Sequence, residues 1–155
     1  MRPLNIGMEK AWEKICHYCA YQERAHKEVK EKLYGFGLYP GEVDETMARL
    51  VEENYLNEER FATAYAGGKF RMMQWGRQKI KYNLRMKGVS DYNIRLALKT
   101  IPEADYEKTV LKLATAKWKS LKGDNQFTKM AKLQAYLGQK GYESQIITRM
   151  IQEML

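Results

Sequence analysis

Long apolar runs are missing from the sequence, and proline is scarce. The longest apolar runs are only a few residues long, and three prolines occur among 155 residues. A bilayer-spanning helix needs about 20 apolar residues, so none is expected. The first residues lack the apolar stretch of a secretion signal, which predicts a cytoplasmic protein without a membrane partner. A hydrophobic content of 45%, rich in Leu, Ala and Met, is enough for a helical protein with a buried core.

Catalytic motifs are also absent. The histidines are His17 and His26, and no Gly-rich phosphate loop or nucleophile elbow occurs. We therefore expect no enzymatic activity, no catalytic residue and no cofactor. Cysteine is limited to Cys16 and Cys19, whose spacing could supply half of a zinc site. Because helical phase places both beside Ile15, packing in the core is favoured, and zinc binding is the alternative.

Acidic residues are missing from one long segment. Residues 1–56 carry a net charge of −2, residues 57–101 carry +7 and residues 102–155 carry +3, for a total of +8. Between Arg60 and Ser90 there are eight Lys or Arg residues and no Asp or Glu. Solvated helix faces normally mix both signs. The segment therefore predicts a partner with an extended negative surface.

A pattern of six positions occurs three times in the chain. Its anchors are Gly37, Gly88 and Gly141. Apolar residues stand eight and four residues before each glycine, and six, ten and thirteen after it: Val29, Leu33, Val43, Met47 and Leu50; Ile80, Leu84, Ile94, Leu98 and Ile101; Leu133, Leu137, Ile147, Ile151 and Met154. Recurrence at constant spacing indicates an internal structural repeat.

The repeat has a simple physical interpretation. The apolar residues before each glycine share one helix face, and the glycine ends that helix in a left-handed conformation. A second helix then begins at Pro40, Ser90 or Ser144, where proline suits the first turn and serine can cap it. A third amphipathic helix precedes each pair, over residues 9–21, from Asn57 and after Asp105.

The predicted fold is all-α, with three tandem three-helix repeats stacked into an elongated curved array. The predicted repeats are residues 8–56, which are acidic, residues 57–104, which are strongly basic, and residues 105–155.

The basic residues of the middle repeat are the candidate contacts for an anionic partner. Arg77, Lys81 and Arg85 recur every four residues, so we expect one solvent-facing stripe beside the core positions. The supporting candidates are Lys69, Arg71, Lys79 and Lys87. Aromatic residues are interleaved with them, namely Phe70, Trp75 and Tyr82. Such aromatics can stack on bases, but their helical phase favours a place in the core.

At these residues the sequence resembles the RecX family of regulatory proteins, which modulate the RecA recombinase. The resemblance runs from about residue 11 to residue 155. It is carried mainly by residues 55–62 (YLNEERFA), 75–80 (WGRQKI) and 87–90 (KGVS), with 28–33 (EVKEKL) and 137–142 (LGQKGY) on either side. No single motif is diagnostic, whereas the ordered set together with the repeat is.

The resemblance implies a regulator that binds the filament of RecA on single-stranded DNA. Suppression of ATP hydrolysis, strand exchange and co-protease activity is then expected, in DNA repair, recombination and the SOS response. A monomer is expected. The contact residues given above come from charge and helical phase, because the resemblance supplies no motif for them. Two other interpretations remain: a free-standing DNA- or RNA-binding module, and a helical-repeat adaptor for an acidic protein.

Overall fold

The computed structural model describes residues 2–155, and these form nine α-helices without a β-strand. The helices are α1 (Met8–Tyr21), α2 (His26–Gly35), α3 (Pro40–Glu52), α4 (Glu58–Met73), α5 (Arg77–Met86), α6 (Asp91–Lys99), α7 (Glu103–Ser120), α8 (Gln126–Gln139) and α9 (Ser144–Met154). The predicted all-α class with nine helices is therefore confirmed. In the described part of the chain, no helix is both long and apolar enough to span a membrane.

The chain folds into two compact units. The first comprises Met1–Ala64 and Leu84–Ile94, and the second comprises Tyr65–Asn83 and Arg95–Leu155. In the first unit α1, α2 and α3 pack against one another. Their core is made of small and branched apolar side chains: Ala11, Ile15, Cys19, Val29, Leu33, Leu38, Val43, Leu50 and Leu56. Burial of this apolar surface is the main force holding the three helices together.

In the second compact unit, α7 packs against α8 and α9, and α8 packs against α9. The buried residues of these helices recur at helical spacing: Tyr106, Val110, Leu113 and Ala114 on α7, Leu133 and Leu137 on α8, and Ile146, Ile147, Met150 and Ile151 on α9. Spacings of three and four residues place each set on one face of its helix. Tyr106 is the one aromatic residue among the largest fully buried side chains.

The three anchor glycines end their helices as predicted. Gly37, Gly88 and Gly141 have φ angles of 83°, 82° and 99°. After Gly88, the Val89 amide donates to the Leu84 carbonyl at 3.1 Å, which closes a Schellman motif. The positions four and eight residues before each glycine are all completely buried. The positions that follow it are buried less uniformly, since Met47, Leu98 and Met154 are only half-buried.

Two helix starts differ from the prediction. Helix α7 begins at Glu103, two residues before Asp105, because acidic residues suit the first turn as well as the cap. Helix α9 begins at Ser144 with Glu143 at the N-cap position, so Ser144 is not a cap. Ser90 and Asn57 do cap their helices, accepting from the Asn93 amide at 3.3 Å and the Arg60 amide at 2.8 Å.

Candidate nucleic-acid interface

The turn between α4 and α5 is fixed by the backbone of the α8–α9 turn in the second compact unit. The Gly76 amide donates to the Lys140 carbonyl at 2.7 Å, and the Gln78 amide donates to the Gly141 carbonyl at 2.8 Å. A side chain on Gly76 would overlap the backbone of Gly141. Glycine is therefore required at position 76 for this close approach.

Trp75, in the same turn, gathers two of the predicted contact residues. The Nζ atoms of Lys69 and Lys79 lie 5.0 and 4.6 Å from the centre of its ring. Tyr65 packs edge-to-face against it, with ring centres 6.5 Å apart. All four side chains are half-buried. The arrangement concentrates positive charge beside an aromatic ring, a combination that suits a nucleic-acid strand.

Arg77 does not face solvent, and that part of the prediction is wrong. Its guanidinium pairs with Glu143 at 2.9 Å and with Glu103, and its centre lies 3.7 Å from the ring of Tyr106. Only 21% of the side chain is exposed. Burial lowers the pKa of Arg77, but its hydrogen bonds to Glu143 and Glu103 outweigh burial, so the pKa rises above its ordinary value.

Tyr106 is the buried centre of this network. Its hydroxyl donates to Glu143 and accepts from the Arg77 amide at 2.9 Å. Burial, followed by the hydrogen bond with Glu143, raises its pKa well above the ordinary tyrosine value. Sequence reasoning missed Tyr106, Glu103 and Glu143, because no local pattern signals a hydrogen bond between residues 66 positions apart. The network fixes the first turn of α5.

The four remaining predicted contacts differ in exposure. Lys81 and Lys87 are half-buried, whereas Arg71 and Arg85 are exposed. Arg85 and Lys87 belong to the first compact unit, and Arg85 pairs with Asp91 at 3.1 Å. Both members of that pair are more than half exposed. Such a surface pair contributes little to stability, so Arg85 can exchange its partner for a phosphate.

The interleaved aromatics fall into three classes of exposure. Phe70 is buried, in agreement with the predicted core position, and Trp75 is half-buried. Tyr82 is 63% exposed, so its predicted core position is wrong. It lies opposite Ile80 and Leu84 on α5, because two residues advance about 200° around a helix. The outer face of α5 therefore presents an aromatic ring next to basic residues.

The cysteine pair lies in the first compact unit. Cys19 is buried, as the core interpretation predicts, and burial raises the pKa of its thiol to about 11. Burial also raises the pKa of Cys16, which is hydrogen-bonded to Tyr55. Both thiols are therefore protonated at neutral pH. No group of three potential metal ligands occurs within residues 2–155.

Known proteins are similar to this protein over most of its length. Residues 57–98 match the family model described as the second three-helix domain of RecX, and residues 104–151 match the third. The Regulatory protein RecX of Prosthecochloris aestuarii is 30% identical over 146 residues, which cover 94% of each chain. The Regulatory protein RecX of Oceanobacillus iheyensis is 27% identical, covering 95% of this chain and 54% of the relative, so the chain spans about half the length of that protein.

A solved structure leads to the same family. The crystal structure of RecX from Lactobacillus salivarius superposes with a TM-score of 0.87 at 26% identity, covering 94% of this chain and 95% of the other. The resemblance seen in the sequence is therefore confirmed, and the chain belongs to the RecX family of regulatory proteins.

Proposed function

We propose that this protein binds the filament that RecA forms on single-stranded DNA and inhibits ATP hydrolysis, strand exchange and co-protease activity. Membership of a family of regulatory proteins supports a regulatory role. The proposed setting is DNA repair, recombination and the SOS response in the cytoplasm, with the protein acting as a monomer. The proposed repeats remain residues 8–56, 57–104 and 105–155.

The observation that carries this proposal is the one-sided charge of the middle repeat. Eight basic residues and no acidic residue occur between Arg60 and Ser90. The ammonium groups of Lys69 and Lys79 both lie within about 5 Å of the centre of the Trp75 ring, so two positive charges adjoin one aromatic side chain. Each Lys or Arg that approaches a phosphate releases a condensed counterion, and this release drives binding. The middle repeat is therefore the part of the chain best suited to DNA within a filament.

The proposed contact residues are Lys69, Arg71, Lys79 and Lys81 in the second compact unit, and Arg85 and Lys87 in the first. Arg77 is assigned a different role, because Glu143 and Glu103 already neutralise its guanidinium. We assign it to positioning: it holds the first turn of α5 in place, so that Lys79 and Lys81 keep their directions. A positioning role predicts that loss of Arg77 lowers stability as well as binding.

Steady-state ATP hydrolysis by the cognate RecA on single-stranded DNA tests the proposal. The protein is added in steps at low salt, and hydrolysis should fall at protein amounts near or below those of RecA. The inhibition should weaken as salt rises, because the proposed contacts are charged. Charge reversal at Lys81 and Arg85 should weaken the inhibition. The matched control, charge reversal at the exposed pair Lys10 and Lys14 on the acidic first repeat, should not. Unchanged hydrolysis and strand exchange with equimolar wild-type protein would refute the proposal.

The second candidate is a free-standing DNA- or RNA-binding module. The half-buried Trp75 flanked by two lysines favours it, since this pair of features needs no protein partner. Tight, salt-dependent binding to naked nucleic acid without any effect on RecA would select this function. Binding to an acidic protein with indifference to both DNA and RecA would instead select the adaptor interpretation.

A further inference from the structure

The third repeat contains a second basic segment, although the net charge of the whole repeat is small. From Lys108 to Tyr142 the chain has eight lysines and one acidic residue, Asp124. The other acidic residues of the third repeat lie outside this segment. This segment therefore has nearly the same one-sided charge as residues 60–90, and the proposed filament contacts do not include it.

Three of these lysines form a stripe on α7. Lys108, Lys112 and Lys119 are all exposed, and they fall within about 40° of one another around the helix. They lie opposite Val110 and Leu113, which are buried. Within residues 2–155 none of the three forms an ion pair with a carboxylate. We call these three residues the α7 lysine stripe.

One aromatic ring, that of Trp118, lies near the C-terminal end of this stripe, on the side where α8 packs. Trp118 precedes Lys119 by one residue, and the Nζ atom of Lys129 on α8 lies 4.2 Å from the centre of its ring. Trp118 and Lys129 are both half-buried. A row of cations with a partly accessible aromatic ring near its end is a combination used for unpaired bases and their phosphates.

We infer that the third repeat carries a separate site for single-stranded nucleic acid, formed by the α7 lysine stripe together with Trp118 and Lys129. The stripe is roughly 16 Å long from Lys108 to Lys119 at the rise of an α-helix. That length corresponds to about five phosphates at the rise of one DNA strand. The ring of Trp118 favours nucleic acid over an acidic protein, because carboxylates gain little from stacking. The inference does not depend on RecA binding.

The test is fluorescence anisotropy of a labelled oligothymidine with the full chain, measured from 50 to 200 mM salt. The variant replaces Lys108, Lys112 and Lys119 by Gln. This removes three positive charges, and because the three side chains are exposed, the packing of α7 is unchanged. The salt slope should become less steep by about 2, since each phosphate contact on a single strand contributes about 0.7. The factor by which affinity falls between 50 and 200 mM salt should consequently be roughly 20-fold smaller for the variant than for the wild type.

The matched control replaces Lys10, Lys14 and Lys30, three exposed lysines of the first repeat, by Gln. It should leave the slope unchanged. Equal slopes in the two triple variants would overturn the inference, as would a wild-type protein that does not bind the oligonucleotide. Tighter binding to poly-glutamate than to oligothymidine would overturn it in favour of an acidic protein partner. Inhibition of RecA by the same variants is scored separately, so failure of this site and failure of the proposed function give different results.

Discussion

Replacing Gly141 by Ala should disturb both the α8–α9 turn and the turn that carries Trp75. Gly141 has a φ angle of 99°, which side chains rarely adopt. An added Cβ would also meet the Lys79 amide nitrogen at 2.6 Å, the Lys79 Cβ, and the Gly76 carbonyl oxygen at 3.0 Å. These atoms belong to the backbone or are fixed to it, so they cannot rotate away as the end of a flexible side chain can. The first turn of α5 would therefore have to move.

The expected cost has two parts. Left-handed backbone costs a residue with a Cβ about 1–2 kcal/mol. Forcing extra volume into a packed contact costs about 1–3 kcal/mol more. Gly123 is a matched control in the same compact unit, with a φ angle of 86° and no atom within 4 Å of an added Cβ. Gly123→Ala should therefore cost only the conformational part, about 1–2 kcal/mol.

Urea unfolding followed by circular dichroism measures both free energies of unfolding. Gly141→Ala should be less stable than Gly123→Ala by about 1–3 kcal/mol, with similar dependence on urea. The same displacement of Lys79 should lower affinity for single-stranded DNA in the Gly141 variant but not in the control. Equal destabilisation by the two substitutions would refute the argument that the two turns are held together through their backbones.

Three further predictions concern charge and ionisation. Arg77→Ala should destabilise by about 1–3 kcal/mol, because Glu143 loses a hydrogen-bonded partner in a half-buried site and Tyr106 loses the guanidinium that lies over its ring; a change below about 0.5 kcal/mol in chemical denaturation would contradict the network. Charge reversal at Lys81 and Arg85 should weaken filament binding and flatten its salt slope, whereas reversal at Lys10 and Lys14 should not; equal losses in a binding titration would disprove the localisation. The pKa of Tyr106 is raised in the folded state, so this tyrosine ionises at lower pH in the unfolded chain. The contribution of Tyr106 to the free energy of unfolding should therefore be complete below pH 10, and should fall above it by up to about 1.4 kcal/mol per pH unit. Tyr106→Phe should flatten that fall in thermal unfolding at high pH, and an unchanged fall would contradict the assigned burial.

Most of the fold follows from local chemistry in the sequence. Val29, Leu33 and Gly37 define one helix face and its end, because helical periodicity and a left-handed terminus depend only on neighbouring residues. The equivalent residues of the other two repeats have the same spacing, and this recurrence makes the pattern specific. Asn57 marks a helix start for the same local reason, since its side chain reaches an amide three residues away.

The arrangement of the candidate interface was only partly predictable. Arg77, Lys81 and Arg85 share a four-residue spacing, but each step advances about 40° around the helix, so the stripe runs from the core edge to the solvent. The partner of Arg77 is 66 residues away, and no local pattern selects Glu143 from the other acidic residues. The net charge of residues 102–155 gives no sign of the α7 lysine stripe, because acidic residues outside residues 108–142 cancel much of its positive charge.

Direct binding of this protein to RecA filaments tests the central claim. Fluorescently labelled protein is titrated with filaments assembled on single-stranded DNA with a non-hydrolysable ATP analogue, with naked DNA, and with RecA alone. We predict saturable binding to the filament that is tighter than binding to either component, and weaker binding when Lys81 and Arg85 carry reversed charges. Filament binding no tighter than binding to naked DNA, at low salt and equimolar RecA, would contradict the account.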